Sequence, residues 1–89
     1  MIISLYAFRD IKVGSYGPVQ MFQNDSVLKR TMSEHLSSGR GDDLSKYPHD
    51  FDCYYLGSYN DESGALVAAE SPALVFNCGI FLEEIKKQD

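Results

Sequence analysis

The sequence predicts an α+β fold, a small antiparallel sheet with two helices in the order ββαββα. Three patterns lead to this class. They are an alternating apolar run at the start, two segments with apolar residues at helical spacing, and two strand-like runs joined by a short polar turn. A chain of 89 residues is expected to form a single domain, residues 1–89.

The first strand is predicted over Ile2–Asp10, where side chains alternate between two faces of a sheet. The two faces carry Ile3, Leu5 and Ala7 on one side and Ser4, Tyr6 and Phe8 on the other. Because both sets are largely apolar, we expect a central strand. A turn over Gly14–Pro18 then leads to a shorter second strand at residues 19–23.

The first helix is predicted to begin at a cluster of capping residues and to end at Gly39. The capping residues are Asn24, Asp25 and Ser26, and the apolar stripe consists of Leu28, Met32, His35 and Leu36. A connector rich in turn residues follows over residues 39–50.

A β-hairpin is predicted from residues 50–59 and 65–69, joined by a turn at residues 60–64. Gly64 can adopt the positive φ that closes such a turn. Gly57 is expected to mark a β-bulge, because the apolar alternation shifts there.

The second helix is predicted to start with Ser71 as its cap and Pro72 as its first residue. Its apolar residues at helical spacing are Leu74, Cys78, Phe81, Leu82 and Ile85. The expected core joins one face of the first strand to both helices through Ile3, Leu5, Ala7, Leu28, Met32, Leu74, Phe81 and Leu82.

Charge is distributed unevenly along the chain, whose formal net charge is −5. Residues 1–48 carry six basic and five acidic side chains, whereas residues 49–89 carry two basic and eight acidic ones. Any anion-binding face therefore belongs to the first half. The apolar start is interrupted by Arg9 and Asp10 before a signal sequence or membrane span is complete, which predicts a cytosolic protein without membrane contact.

Histidines, cysteines and aspartates offer candidate ligands and nucleophiles, but their spacing matches no known motif. The residues considered are His35, His49, Cys53 and Cys78 for zinc, and Asp42, Asp43, Asp50 and Asp52 for calcium. His49 would lie about 13 Å from Cys53 along an extended strand, too far for a nucleophile and its base. We expect free thiols, no metal, no cofactor and no enzymatic activity.

The Gly14–Gly17 stretch, GSYG, allows two interpretations. It has the form of the glycine loop with which KH domains hold a nucleic-acid backbone, but its position between two strands favours a hairpin turn. Its basic and aromatic neighbours favour binding of single-stranded DNA, which combines phosphate contacts with base stacking. The candidate nucleic-acid-binding residues are Arg9, Lys12, Gly14, Tyr16, Gly17, Lys29, Arg30, Arg40 and Lys46.

In order and spacing, three stretches resemble the small nonstructural protein of gokushovirus-type microviruses, which are single-stranded DNA phages. They are Tyr6–Phe22, Lys46–Leu66 and the apolar segment after Ser71–Val75. The most specific residues are Pro48, Asp50, Phe51, Leu56, Gly57, Tyr59, Asn60, Asp61, Ser63 and Gly64, preceded by Asp10, Lys12, Val13, Gly14 and Tyr16. The resemblance implies a DNA-binding, noncapsid protein of the host bacterial cytoplasm, compared in role with the microvirus protein that switches replication towards packaging.

Two classes of partner remain open at this point. The first is single-stranded DNA, and the second is a phage replication or packaging protein or a host protein, bound without DNA contact. In addition, we expect a homo-oligomer, because a chain of this size buries only about 60 to 65 per cent of its unfolded surface and its strands are apolar on both faces.

Overall fold

One antiparallel sheet forms the framework of the fold in the computed structural model, which describes residues 1–38 and 41–82. The α+β class and the small antiparallel sheet predicted from the sequence are confirmed. The elements are β1 (Ile2–Asp10), β2 (Ser15–Tyr16), β3 (Gln20–Phe22), α1 (Asp25–Ser37), α2 (Asp43–Lys46), a single 3₁₀ turn (Pro48–Asp50), β4 (Phe51–Asn60) and β5 (Leu66–Asn77). The strands lie in the order β2-β1-β4-β5, and β3 also pairs with β1.

The second predicted strand corresponds to β3, and the additional strand β2 lies within the predicted turn Gly14–Pro18, because the turn after β1 closes earlier than expected. The Asp10 carboxylate accepts hydrogen bonds from the backbone N–H groups of Lys12 and Val13, at 3.0 and 3.2 Å. Gly14 then adopts a φ of 82°, which lets Ser15–Tyr16 pair with the end of β1. Pro18, which has no N–H to donate, separates this pairing from β3.

Helix α1 begins and faces the sheet as predicted. The Asn24 side chain accepts the backbone N–H of Val27 at 2.9 Å, which is the usual capping bond. Leu28, Met32 and Leu36 form its buried stripe. The core they enter consists of Tyr6, Phe8, Leu28, Met32, Leu36, Cys53, Phe76, Cys78 and Phe81.

The face of β1 that packs on α1 is the opposite of the expected one. Tyr6 and Phe8 lie beneath the helix, whereas Ile3 and Leu5 belong to the other side of the sheet. Both faces of β1 are apolar, so alternation alone does not choose between them. The Tyr6 hydroxyl donates a hydrogen bond to the Asp25 carboxylate at the start of α1, which only this orientation allows.

The predicted β4–β5 hairpin and its bulge are confirmed. The pairing register shifts between Tyr55 and Gly57, and again between Leu5 and Tyr6 on β1. Gly57 has a φ of 151°, and a Cβ atom there would collide with the carbonyl oxygen of Val67. The hairpin turn is closed by Gly64, whose φ is 75°.

The prediction that a second helix starts at Ser71 is wrong, because β5 continues to Asn77. Extended pairing places Phe76 opposite Cys53 in the core and leaves Leu74, an expected core residue, 60% exposed. Ser71 and Pro72 lie in a bulge of β5 opposite Leu56, where a proline at a sheet edge is tolerated. Residues 78–79 form a turn and residues 80–82 are helical, and the part of the predicted helix after residue 82 falls outside the described residues.

Candidate nucleic-acid interface

The side of the sheet that faces away from α1, called the open face here, carries a band of apolar and aromatic side chains. Strand alternation and the pairing register assign residues to this face. They are Ile3, Leu5, Ala7, Arg9, Tyr16, Met21, Asp52, Tyr54, Gly57, Tyr59, Leu66, Ala68, Leu74 and Asn77. Met21, Leu66 and Leu74 are 60%, 69% and 60% exposed, so the face is accessible to a partner.

Arg9, Tyr16 and Tyr54 form a contiguous group on the open face, the Arg9–Tyr16–Tyr54 cluster. The guanidinium carbon of Arg9 lies 5.9 Å from the centre of the Tyr16 ring, within cation–π range. The Tyr16 and Tyr54 rings meet edge to face at 5.6 Å between centroids. Their contact crosses β1 and contributes to the burial of Ala7, which is 1% exposed.

The two glycines of the GSYG stretch have different roles. Gly14 takes the positive φ that the turn requires, and its Cα lies next to the Arg9 guanidinium, where a Cβ atom would be 3.8 Å away. Gly17 donates its backbone N–H to the Phe8 carbonyl at 2.8 Å, so this group is already part of the sheet. The stretch is therefore a turn and strand edge rather than a free loop of N–H groups.

Lys12 lies outside the cluster, at the end of the sheet. It borders a hollow together with Asp10, Asp43 and Asp50. An adjoining cleft of about 450 Å³ has Phe8, Leu44 and Phe51 as apolar walls and Asp10, Asp42 and Asp43 as acidic ones. This end of the molecule is acidic, and a phosphate beside Lys12 would meet several carboxylates.

The remaining predicted basic residues do not lie with Arg9. Lys29 and Arg30 are exposed on α1, on the opposite side of the sheet, and Arg30 lies 3.7 Å from Glu34. Lys46 is exposed at the end of α2. Arg40 lies outside the described residues. Of the nine candidates, the structure brings together Arg9, Gly14 and Tyr16, with Gly17 on the neighbouring strand edge.

Tyr54 and Tyr59 belong to the open face but were not among the predicted site residues. The signal that identifies them is the alternation of β4, in which Cys53 and Tyr55 point to the core and Tyr54 points away. That signal is usable only once the covered face is known.

Three side chains beneath the sheet have strongly raised pKa values. Burial raises the pKa of both thiols, Cys53 and Cys78, to about 12. Burial and the bond to Asp25 raise the pKa of Tyr6 to about 12. These groups are neutral at physiological pH, and their environment is that of a packed core.

Asp42 connects the two helices at the acidic end. Its carboxylate caps α2 by accepting the Ser45 backbone N–H at 2.8 Å, which is the main reason that its pKa is lowered. The second carboxylate oxygen lies 2.7 Å from Nε2 of His35 on α1. His35, predicted as part of the apolar stripe, is therefore a partly exposed partner of Asp42 beside the buried stripe.

Within residues 1–38 and 41–82, no helix combines the length and hydropathy needed to cross a membrane. In the same ranges, no three His, Cys, Asp or Glu side chains are grouped so that they could hold a metal ion.

No curated protein and no solved structure gives a significant match to this chain. The family whose sequence profile matches is described as Phage ORF5 protein, and the match covers residues 3–81. It spans β1 to β5 and includes the whole open face. The chain therefore belongs to the Phage ORF5 protein family.

Proposed function

We propose that this phage protein is a single-stranded DNA-binding accessory factor that acts in the host bacterial cytoplasm during genome replication or the switch to packaging. The observation that carries the proposal is the Arg9–Tyr16–Tyr54 cluster on the open face. The resemblance to the gokushovirus nonstructural protein supports the same biology.

The chemistry of the cluster suits a flexible nucleic-acid strand. Tyrosine rings on an accessible sheet provide π-faces on which bases of any sequence can stack. Among the described residues, Arg9 forms no ion pair within 4.0 Å, although Asp52 lies opposite it on β4. Its guanidinium rests on Tyr16 and can donate to a phosphate. Duplex DNA, whose bases are already stacked, lacks free faces for these rings.

Charge limits how such binding works. The net charge of −5 and the aspartates around Lys12 oppose a long phosphate track. Binding should therefore depend more on stacking than on counterion release. Only a few phosphates would be neutralised, and affinity would fall less steeply with salt than for a basic DNA-binding protein.

The test is fluorescence anisotropy with a labelled oligonucleotide of about 20 nucleotides, longer than the site of a typical small single-strand binder. Tyr16→Ala should weaken binding by about 5- to 150-fold, the equivalent of about 1–3 kcal/mol for one stacked base. Arg9→Gln should weaken binding and reduce the salt slope by about 0.7, the value for one phosphate contact on a single strand.

Two control variants match these changes away from the open face. Tyr47→Ala removes a tyrosine that is 57% exposed beside the acidic end, and Lys29→Gln removes a cation from α1. Both should bind like the wild type. The proposal is wrong if the wild type fails to bind single-stranded DNA at low salt, or if Tyr47→Ala loses as much affinity as Tyr16→Ala at equal melting temperature.

A second candidate function is a module that binds a phage or host protein without DNA. The acidic cleft bordered by Asp10, Asp42 and Asp43 favours it, because such a surface attracts basic side chains and repels phosphate. A purified replication or packaging protein that binds the wild type, and loses affinity on Asp43→Asn but not on Tyr54→Ala, would support this function, because Tyr54 does not line the cleft.

A further inference from the structure

The two edges of the sheet differ in how they are protected against pairing with another strand. On one side the strands are short, β2 with two residues and β3 with three, and Pro18 lies between them. The other edge is β5, whose twelve residues are divided by the bulge that contains Pro72 into two stretches, Leu66–Ala68 and Ala73–Asn77. Natural monomers usually shield so long an edge with charges or a covering segment.

β5 lacks such protection next to the hairpin turn. Residues 65–69, with the sequence ALVAA, carry no charge. Leu66 and Val67 are 69% and 61% exposed. Within the described part of the chain, β5 pairs with β4 only, which leaves its outer backbone groups available.

The orientation of these backbone groups follows from two contacts. The Asn60 N–H donates to the Ala65 carbonyl at 2.9 Å, and the Val67 carbonyl faces Gly57 on β4. In an antiparallel ladder, alternate residues direct their N–H and C=O groups to opposite sides. Leu66 and Ala68 therefore direct theirs outward, away from β4.

We propose that a second copy of this chain pairs with β5, with its own β5 running antiparallel about a two-fold axis at Val67. In this register Leu66 of each copy exchanges two hydrogen bonds with Ala68 of the other. The two Val67 residues form the central non-hydrogen-bonded pair. The paired residues Leu66, Val67 and Ala68 carry no charge, so no like charges face each other in the ladder.

A second copy fits this edge better than an unrelated strand because the outward groups are self-complementary. Positions 66 and 68 are related by the axis at position 67, as an isologous interface requires. The pairing buries Val67 against Val67 and each Leu66 against Ala68, which covers the exposed apolar end of the strand. The other edge of each sheet is capped by short strands, so assembly stops at the dimer.

The two-fold axis is perpendicular to the sheet, which places both open faces on the same side. The two β2 strands lie seven strand spacings of about 4.8 Å apart across the sheet, which is about 34 Å. Tyr16 pairs with Arg9, five residues along β1 from the level of Val67, so the two Tyr16 residues are also offset by about 34 Å along the strands and lie about 48 Å apart. Contact of one DNA strand with both clusters rests on the proposed function. The dimer does not depend on that function, and the experiments that test the dimer use no DNA.

Analytical ultracentrifugation tests the assembly. The wild type at tens of micromolar should approach twice the 10.0 kDa mass of one chain. Val67→Lys, which places two ammonium groups at the axis, should sediment as a monomer. Val13→Lys is the matched control, since Val13 is 74% exposed in the turn after β1, and it should remain dimeric. Circular dichroism verifies that both variants are folded.

Cross-linking tests the register. Across an antiparallel non-hydrogen-bonded pair the Cα atoms are about 4.5 Å apart, within the range that a disulfide spans. Val67→Cys should therefore form a covalent dimer under mild oxidation, whereas Val13→Cys should not. The native thiols are fully buried and do not compete. A wild type that stays monomeric at hundreds of micromolar, or equal cross-linking of the two variants, would overturn the proposal.

Discussion

Replacement of Gly57 by alanine tests the bulge that joins β4 to its neighbours. Gly57 has a φ of 151°, a conformation that costs an L-residue about 1–3 kcal/mol. A Cβ atom there would also meet the Val67 carbonyl oxygen and lie 2.9 Å from the Ala68 Cα. These are backbone atoms, so relief requires the β4–β5 pairing itself to open.

We expect Gly57→Ala to lower the free energy of unfolding by about 3–5 kcal/mol, the sum of the conformational cost and an overpacking cost of about 1–3 kcal/mol. Gly64→Ala is the matched control, with a φ of 75° and no atom within 4 Å of the added Cβ. It should cost only the left-handed strain of about 1–2 kcal/mol. The free energy of unfolding of a native protein is only about 5–15 kcal/mol in total, so the Gly57→Ala variant is expected to be marginally stable.

Urea unfolding followed by far-ultraviolet circular dichroism measures both variants, since the chain contains no tryptophan. Equal losses in the two variants would refute the reasoning, because they would mean that Gly57 does not approach β5 closely. A smaller loss for Gly57→Ala than for Gly64→Ala would have the same meaning.

Three further predictions concern the core and α1. Tyr6→Phe keeps the buried ring but removes the bond to Asp25, and should reduce stability by about 1–2 kcal/mol in thermal unfolding, whereas a shift below about 0.5 kcal/mol would contradict that bond. Asn24→Ala should cost about 1 kcal/mol through the lost cap, while Asn24→Ser should restore most of it. Because the pKa values of Cys53 and Cys78 are raised to about 12 by burial, both thiols should resist a thiol reagent at pH 8 until urea unfolds the chain. Because the folded thiols hold their protons more tightly than the unfolded ones, their contribution to the free energy of unfolding is complete below pH 9 and is lost as the pH rises towards 12. A free energy of unfolding that stays constant from pH 9 to 11 would contradict their burial.

The sequence was sufficient where local chemistry decides the structure. The cap at Asn24, the stripe of α1 and the turn closed by Gly64 all follow from short-range rules, and all are present. The bulge at Gly57 was also predictable, because the apolar phase changes there.

The sequence-based prediction was wrong where pairing with a distant strand determines the local structure. Ser71 and Pro72 look like the start of a helix, yet the neighbouring β4 continues the ladder past them to Asn77. The Leu74 and Cys78 spacing fits a helix by coincidence, since Leu74 is exposed on β5 and Cys78 is buried in the turn that follows this strand.

The candidate site was predicted in part, for a related reason. Arg9 and Tyr16 were identified from the first strand and its turn, and they do lie together. Tyr54 was missed because its side chain becomes accessible only when the opposite face of the sheet is the covered one. Lys29 and Arg30 are near in sequence to the other cations but lie behind the sheet.

The separation of the two sheet faces has a consequence for how this protein can evolve. Nearly all of the buried core lies between α1 and the face that carries Tyr6 and Phe8. Substitutions among exposed positions such as Met21 and Leu74 therefore change what the protein presents to a partner at little cost in folding. A phage lineage can alter the chemistry of the open face by single substitutions while the same helix and core keep the chain folded.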